Sequence, residues 1–372
     1  MCRVLERPRK TMTPLPKTSS FETFSLSNKE SIDRQLRVVL APASLTGLSK
    51  ANKDLMKQLA LLVGRGGKRL RPLLCVLAYE AYGGRKRRAI IKPAASQELL
   101  HTFLLIHDDI IDRDFQRWGG SNILGVYFDR ASQSMAPRNA LHHAEAYALL
   151  AGDMCFALAN ETLMTANFAP DVLLPVQRLQ QQVIMQVLRG ELSDTVYAAD
   201  KRRPSEQQIL TMYADKTASY SFGLPLQTGA MLAGANQRQL DLLTQFAVAM
   251  GIAYQLQDDV LGMFGSERTT GKPVTSDLRE GKLTVLALKT FELATPAQRR
   301  RFQTLFGNDE IDAENLAAAR DIITTSGAKR YVQDLAQSYA QQARDCIEQT
   351  AMNEVGKVRL TDLIRLLTNR SK

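Results

Sequence analysis

An acidic motif at residues 107–114 has the residue types and spacing of a divalent-metal site. It contains Asp108, Asp109 and Asp112 and directly follows the apolar run at 103–106. Residues four apart lie on the same face of a helix, so Asp108 and Asp112 are expected to project together. Neighbouring carboxylates repel one another, and a cation that prefers oxygen ligands, such as Mg²⁺, removes this repulsion. The motif therefore indicates metal binding, with a solvated acidic helix end as the alternative.

A second acidic motif, Gln-Leu-Gln-Asp-Asp at residues 255–259, also ends a long apolar segment. Two acidic patches at the ends of two apolar helices could face each other across a cavity. They would then hold more than one metal ion around one diphosphate. Each motif alone also fits a solvated helix end, but the pair, together with nearby basic residues, favours a functional site.

Basic residues next to glycines supply the counterpart for an anionic ligand. In the segment 66–72, glycines let the backbone approach a ligand closely, and Lys68 and Arg71 carry charges that suit phosphate. The segment is not a P-loop, because no Gly-Lys-Ser/Thr follows a strand. An isolated lysine is more often solvated, but several cations near glycines or acidic motifs favour binding. These further candidates are Arg117, Lys216 with Thr217, Lys272 and Lys282.

Together these groups predict one chemistry. A diphosphate held by metal ions and lysines is a leaving group, because neutralising its charge lowers the barrier to C–O cleavage. The allylic cation that develops needs an apolar, dry cavity, which apolar helices can line. A second anionic substrate at Lys68 and Arg71 would bring a double bond that attacks this cation. The expected reaction is head-to-tail prenyl transfer.

The elements that must position these residues are predicted to be helices. Strand signals are scarce, and apolar residues recur at helical spacing, as at 99–110 and 240–254. The fold class is therefore all-α. Central helices are predicted near residues 93–113, 140–165, 171–190, 205–223 and 238–263. Capping boxes are predicted at Ser205–Gln208 and Thr295–Gln298.

The chain is expected to form one large helical bundle domain over residues 31–372, around a central cavity and preceded by a loosely ordered basic arm at 1–30. A charge-free stretch at 217–237 is long enough to raise the question of a membrane span. Serine, proline and glutamine interrupt it, so a buried core helix is the preferred interpretation. No transmembrane segment is expected.

The net charge and the cysteine pattern limit which binding partners and which cellular location are expected. The formal net charge is +10, which suits nucleic acid, an anionic membrane surface or small anionic substrates. No zinc-finger spacing or RNA-binding signature accompanies the charge, so nucleic acid is not expected. None of the four cysteines forms a Cys-x-x-Cys pair, and no apolar signal sequence is apparent in residues 1–30. A cytoplasmic, reducing location is expected.

The motifs, in their order along about residues 60–290, resemble those of the trans-isoprenyl diphosphate synthases, the family of farnesyl and geranylgeranyl diphosphate synthases. The matching segments are Gly67–Pro72, Asp108–Asp112, Lys216–Thr217 and Gln255–Asp259. The resemblance implies an isoprenoid synthase fold, Mg²⁺ as the cofactor and a homodimer. It also implies that isopentenyl diphosphate and allylic prenyl diphosphates are the substrates.

The resemblance also implies roles for individual residues. Isopentenyl diphosphate would bind to Lys68, Arg71 and His101. Metal would be held by Asp108, Asp112 and Asp258, with Asp194 supporting a metal-bound water. The allylic diphosphate would be contacted by Arg117, Lys216, Thr217, Gln255 and Lys272, with Lys282 as a further substrate-binding cation. The residues expected to take part directly in catalysis are Asp108, Lys216, Thr217, Gln255 and Asp258.

Three features depart from the family pattern. Trp118 stands where the family has the second arginine of Arg-Arg-Gly, which helps to bind isopentenyl diphosphate. Gly262 stands at the last aspartate of the second acidic motif. The segment 121–139 looks longer and less regular than usual and is predicted to form a variant loop over the site.

Product length should depend on the depth of the apolar tunnel before the first acidic motif. Phe103 and Leu104 lie about one turn before Asp108 and are predicted to form its floor. One aromatic residue there resembles the geranylgeranyl synthases, so a C20 product is expected, with C15 next.

Two alternatives remain open from the sequence. One is a non-catalytic or regulatory subunit of a heteromeric prenyl synthase, which Trp118 and Gly262 favour. The other is a class I terpene cyclase, which would require a different second metal motif.

Overall fold

A computed structural model of the chain describes residues 20–41, 47, 49–199, 203–265, 276–308 and 310–368, and most of these residues are helical. The first helices are α1 Phe21–Val39, α2 Lys50–Gly64, α3 Leu70–Ala81, α4 Ile91–Ile111, α5 Ile123–Ala131 and α6 Pro137–Met164. The central helices are α7 Pro170–Ala199, α8 Glu206–Tyr213, α9 Leu224–Leu232 and α10 Gln237–Phe264. The remaining helices are α11 Ser276–Arg279, α12 Val285–Leu293, α13 Pro296–Leu305, α14 Ala313–Thr325, α15 Ala328–Gln349 and α16 Glu354–Thr368.

A π-helical segment, Ala214–Gly223, joins α8 to α9. It carries Lys216 and Thr217, and such wide turns are rare and often occur at functional sites. Glycines let two other helices approach it closely. A Cβ atom at Gly190 of α7 would lie 2.4 Å from the backbone nitrogen of Lys216, and one at Gly251 of α10 would lie 2.2 Å from the Ala218 Cβ.

A short hairpin follows α4. Strand β1 (Gln116–Arg117) pairs antiparallel with β2 (Gly120–Ser121), so Arg117 lies opposite Gly120. The two turn residues between the strands both have positive φ, 52° at Trp118 and 73° at Gly119. This is the geometry of a type I′ turn, whose twist matches that of the flanking strands.

Two apolar clusters share α10 as a common wall. The larger contains α3, α4, α6, α9 and the first half of α10, and the smaller contains α8, α12–α14 and the second half of α10. α4 packs on α3 and α6, while α10 packs on α15 and on the π-helical segment. The ends of α4 and α10 that carry the acidic motifs are thereby held next to the π-helical segment.

The predicted all-α class and both capping boxes are confirmed. The central helices are also confirmed, except that the one predicted at 205–223 becomes π-helical after Tyr213 and the one predicted at 171–190 extends to Ala199. The predicted arm needs a correction at its boundary, because α1 begins at Phe21, which is buried and whose backbone N–H donates to Asp362. Residues 1–19 lie outside the described part of the chain. The variant loop predicted at 121–139 is wrong: most of this segment is helical, in α5 and the start of α6, and Asn122 caps α5.

The charge-free stretch at 217–237 is buried over most of residues 218–232, in agreement with the predicted core helix. Among the described residues, no helix has the length and apolar character needed to cross a bilayer.

Candidate active site

A polar cavity lies between the C-terminal ends of α4 and α10 and the π-helical segment. Its volume, open mouth included, is about 610 Å³. The predicted site residues that line it are Asp108, Asp112, Asp194, Lys216, Thr217, Gln255 and Lys282. Residues from both acidic motifs therefore face one cavity, as the sequence predicts. Asp259 also lines it, and Asp258 is partly buried in the same turn of α10.

Lys216 is surrounded by carboxylates. Its Nζ lies 2.7 Å from Asp194 Oδ2, 2.9 Å from Glu191 Oε2 and 3.5 Å from Asp108 Oδ1. Burial opposes the charge on Lys216, but Asp108 and the other two carboxylates outweigh it and raise the pKa of the ammonium. Burial raises the pKa of Glu191, while Lys216 acts in the opposite direction. Lys216 therefore stays charged and neutralises the acidic wall.

Two further cations pair with the first acidic motif. Arg117, held by the hairpin, donates to Asp109 through Nε at 2.8 Å and has Asp108 Oδ2 at 3.5 Å from its Nη2. Lys282 Nζ lies 3.2 Å from Asp112 Oδ2. Despite burial, the pKa of Arg117 is raised because Asp109 accepts its hydrogen bonds. The site thus places at least one cation at each of these three aspartates.

The donor set fits a magnesium ion that is shared with a diphosphate. Within the described ranges, no three acidic, histidine or cysteine side chains converge closely enough to hold an ion on their own. Asp108 and Asp112 nevertheless supply hard carboxylate oxygens on one wall of an open cavity. Mg²⁺ usually takes only one or two protein carboxylates and completes its shell with water and phosphate oxygens.

A hydrogen-bonded chain connects the second acidic motif to the π-helical segment. Thr217 Oγ1 donates to Gln255 Oε1 at 3.1 Å, and Gln255 Nε2 donates to Asp259 Oδ1 at 3.0 Å. The Tyr213 hydroxyl donates to Asp259 Oδ2. Burial and then the Asp259 charge raise the pKa of Tyr213 well above its ordinary value, so the phenol stays protonated. Thr217 and Gln255 belong to the predicted motifs, whereas Tyr213 lies outside them and was not predicted.

The predicted isopentenyl diphosphate residues lie beside the π-helical segment. Arg71 stacks over the Tyr220 ring at 4.4 Å and donates to Ser221 Oγ at 2.7 Å. The His101 ring lies 6.0 Å from the Tyr220 ring. Among the described residues, Arg71 Nε and His101 Nδ1 are buried polar atoms without a hydrogen-bond partner. Such atoms are uncommon in folded proteins, and next to a charged site they are available to bind a polar ligand, a water or an ion.

Burial, followed by the charges of Arg71 and Arg117, lowers the pKa of His101 well below its ordinary value. A neutral imidazole has one donor and one acceptor nitrogen, so it can still donate one hydrogen bond to a phosphate oxygen. Lys68 is exposed at the start of this region. Tyr220 and Ser221 were not predicted, although they lie about one helical turn after Lys216, which is the signal that could have found them.

Arg69, between the two predicted phosphate-binding cations, has a structural role. It has φ of 50° and is 4% exposed. Its guanidinium pairs with Asp33 at 2.7 Å and Glu98 at 2.8 Å, and it also donates to two backbone carbonyls. These bonds hold the loop that carries Lys68 and the start of α3, where Arg71 lies.

A second, more apolar cavity continues from the polar one along α4. Its volume is about 690 Å³, open mouth included, and it shares Asp108, Lys216 and Thr217 with the polar cavity. Its other walls are Phe103, Leu104, Leu105, His107, Ile111, Val187, Leu188, Glu191 and Tyr220. Phe103 packs against Phe156 with ring centroids 5.1 Å apart. Phe103 and Leu104, which were predicted to form the floor, both line this cavity.

Lys272, the remaining predicted cation, lies outside the described residues and stays a prediction.

Trp118, which stands where the family has an arginine, lies at the hairpin turn and is 37% exposed. It holds a positive φ that is unusual for a large side chain. Next to this turn, Arg65 Nη1 donates to the Ser121 carbonyl at 2.6 Å, so the arginine that directly precedes the glycine-rich segment contacts the hairpin.

The polyprenyl synthetase sequence profile matches residues 52–323. The chain belongs to the polyprenyl synthetase family. It is 34% identical over 288 residues to the geranylgeranyl diphosphate synthase of Sulfolobus acidocaldarius, covering 77% of this chain and 81% of that protein. It is 32% identical over 313 residues to the geranylfarnesyl diphosphate synthase of Aeropyrum pernix, covering 84% and 92%.

The fold is also similar to a solved member of this family. The crystal structure of geranylgeranyl pyrophosphate synthase from Corynebacterium glutamicum, complexed with isoprenyl diphosphate and magnesium, superposes with a TM-score of 0.86. It is 26% identical and covers 94% of this chain and 99% of that chain. The similarity therefore extends over nearly the whole bundle, well beyond the segments that carry the motifs.

Proposed function

We propose that this polyprenyl synthetase condenses isopentenyl diphosphate with an allylic diphosphate and releases a short-chain all-trans prenyl diphosphate. One observation carries the proposal: the polar and apolar cavities share Asp108, Lys216 and Thr217. A diphosphate in the polar cavity therefore has its hydrocarbon chain in the apolar one. This arrangement suits a substrate with a highly charged head and an apolar tail.

The residues of the polar cavity hold the allylic diphosphate as a leaving group. Asp108 and Asp112, with Asp258 from α10, would bind Mg²⁺, which neutralises charge on the departing diphosphate. Lys216, Arg117 and Lys282 already lie within 3.5 Å of aspartates in this site. Each can turn from a carboxylate to a phosphate oxygen, while Thr217 and Gln255, which also line the cavity, orient the diphosphate.

The second substrate is assigned to Lys68, Arg71 and His101. The support is chemical, because the unpaired Arg71 Nε and His101 Nδ1 are suited to bind diphosphate oxygens. Tyr220 lies against Arg71 and also lines the apolar cavity. The double bond of isopentenyl diphosphate would thereby come next to the allylic tail, beside the apolar side chains of this cavity.

The product is proposed to be geranylgeranyl diphosphate (C20), with farnesyl diphosphate (C15) as the second choice. Phe103 and Phe156 together form a bulky barrier beside the apolar cavity. The relatives named above make geranylgeranyl and geranylfarnesyl diphosphate according to their names, which is consistent with a short product.

A homodimer is proposed from an apolar stripe on α7. Its members recur at helical spacing and are 44–66% exposed: Met185, Leu188, Leu192 and Val196. Leu188 also lines the apolar cavity, so a second copy seated on this stripe would cover one side of it. Analytical ultracentrifugation of a Leu192→Glu variant tests the dimer: a shift to monomer supports it, and a dimer unaffected by the charge contradicts it.

The test of the activity uses the purified protein with Mg²⁺, isopentenyl diphosphate and each of the C5, C10 and C15 allylic diphosphates. Mass spectrometry of the products should show C20, and a chelator should abolish the reaction. A Lys216→Met variant serves as the inactive control. If the folded wild-type protein forms no product from any primer, the proposal is wrong and the regulatory-subunit alternative gains support.

A further inference from the structure

Tyr213 occupies the junction of three elements that carry site residues. It is the last residue of α8, directly before the π-helical segment, and is 3% exposed. Its hydroxyl donates to Asp259 of α10 and accepts the backbone N–H of Val285, the first residue of α12, at 3.1 Å. None of the sequence motifs described above includes this tyrosine.

Its contact with Asp259 determines how Gln255 is oriented. The two Asp259 oxygens accept from different donors, Oδ2 from Tyr213 and Oδ1 from Gln255. Gln255 therefore presents its NH₂ group to Asp259 and its carbonyl oxygen to Thr217, at 3.1 Å. An amide has distinct donor and acceptor ends, so fixing one end fixes the other. The carboxylate acts as an anchor for this amide.

The hydrogen bond from Val285 connects Tyr213 to the loop before α12, which also borders the polar cavity. The Thr284 side chain caps α12, and Lys282 lies two residues before this cap. Lys282 Nζ is 3.2 Å from Oδ2 of Asp112, the C-cap residue that ends α4. By accepting the Val285 N–H, Tyr213 fixes the start of α12 and with it the loop that carries Lys282. One phenol thus connects the Thr217 and Lys282 sides of the polar cavity.

We propose that Tyr213 is a positioning residue for the allylic diphosphate site, acting on Thr217 through Asp259 and Gln255 and on Lys282 through Val285. The inference rests on the function proposed above and deepens it. Under this proposal the two aspartates of the second acidic motif have different roles. Asp259 orients Gln255, and the metal-binding role stays assigned to Asp258.

The principal test compares Tyr213→Phe with Tyr82→Phe. Both remove one hydroxyl and keep the ring, but the Tyr82 hydroxyl donates to Gln239, at the other end of α10. Tyr213→Phe should lower kcat at least tenfold and raise the KM for the allylic diphosphate. The KM for isopentenyl diphosphate should stay within twofold, because Arg71 and His101 are not part of the network. Tyr82→Phe should keep wild-type kinetics. Wild-type kcat and allylic KM in Tyr213→Phe would overturn the proposal.

A double-mutant cycle distinguishes positioning from general destabilisation. Because Tyr213 acts on Thr217 through Gln255 as well as on Lys282, the loss of kcat in the Tyr213→Phe/Thr217→Val pair should be clearly smaller than the product of the two single losses. Independent effects would instead multiply, and that result would overturn the proposal. If Tyr213→Phe does not fold, Asp259→Asn replaces it. An asparagine has only one side-chain oxygen, so it cannot accept hydrogen bonds from Tyr213 and Gln255 on two separate oxygens. A wild-type kcat in that variant would also overturn the proposal.

A binding measurement separates this proposal from the proposed function. Calorimetry with inorganic diphosphate and Mg²⁺ requires no turnover. Tyr213→Phe should bind the pair at least fivefold more weakly than the wild type and Tyr82→Phe, and equal affinity would overturn the proposal. If the wild type forms no prenyl product, the proposed function fails, and this comparison alone decides the role of Tyr213.

Discussion

Gly190 lies so close to Lys216 that a Cβ atom at Gly190 would be 2.4 Å from the lysine backbone nitrogen. The absent side chain is what lets α7 approach the π-helical segment. This approach brings Glu191 and Asp194 of α7 within hydrogen-bonding distance of the Lys216 ammonium. The absence of a side chain at Gly190 therefore determines how closely the Glu191 and Asp194 carboxylates surround Lys216.

Gly190→Ala should displace Lys216. Relieving the overlap requires a backbone shift, and overpacking of this kind costs about 1–3 kcal/mol in stability. We expect kcat to fall about tenfold, which corresponds to about 1.4 kcal/mol in the activation barrier. Steady-state kinetics and urea unfolding measure the two effects. Gly64→Ala is the matched control, because no atom lies within 4 Å of its added Cβ. Unchanged kinetics in a stable Gly190→Ala protein would contradict the prediction.

Arg71→Lys should weaken the binding of isopentenyl diphosphate. A lysine keeps the charge but cannot stack on Tyr220 as a plane or donate from two nitrogens at once. The KM for isopentenyl diphosphate should rise about tenfold, corresponding to about 1.4 kcal/mol, while the allylic KM stays unchanged.

The matched control for Arg71→Lys is Arg359→Lys. Arg359 also stacks on an aromatic ring, Phe24 at 4.4 Å, and also has a buried Nε without a partner among the described residues. It packs beside Glu80, near the end of α3 opposite to Arg71. If both variants changed the KM for isopentenyl diphosphate equally, Arg71 would not be specific to that substrate.

Phe103→Ala should lengthen the product. Removing the ring opens space between the apolar cavity and Phe156, so the chain can grow past C20 before it meets a barrier. Mass spectrometry of the products from a C15 primer measures this. Phe168→Ala removes an equal ring that packs on Tyr79, away from the cavity, and should leave the product length as in the wild type. An unchanged product from Phe103→Ala would show that the floor lies elsewhere.

His101 should make folding less stable in acid. Its pKa in the folded protein is lowered well below 6.5, first by burial and then by the charge of Arg71. Below about pH 6.5 the His101 side chain binds a proton in the unfolded chain but stays neutral in the folded protein. The stability present above pH 6.5 is therefore lost as the pH falls, with a slope of up to about 1.4 kcal/mol per pH unit.

Urea unfolding between pH 7 and 5 measures this slope. His101→Gln, which does not titrate, should be less sensitive to pH by that amount, whereas His142→Gln, on the exposed surface of α6, should behave as the wild type. If His101→Gln kept the full pH dependence, other groups would have to account for it.

The sequence predicts the helices and the meeting of the acidic motifs because both depend on local spacing. Asp108 and Asp112 are separated by one helical turn, and the apolar pattern shows which side of each helix is buried. The π-helical segment was not predicted, since its residue pattern matches that of an α-helix. Tyr213 was missed for another reason: its partners, Asp259 and Val285, are far away in the sequence and meet only in the folded chain. Residues 121–139 were misjudged because α5 is short.

The ion pairs of the polar cavity couple the binding of a divalent ion to the binding of diphosphate. Lys216 and Lys282 hold the same carboxylates that a divalent ion would need. A lysine that turns toward an incoming diphosphate releases its carboxylate, and a released carboxylate attracts a divalent ion. Each ligand thus lowers the free-energy cost of binding the other, and linkage requires the effect to be reciprocal. We expect Mg²⁺ and diphosphate to bind with positive cooperativity, each weakly alone and tightly as a pair.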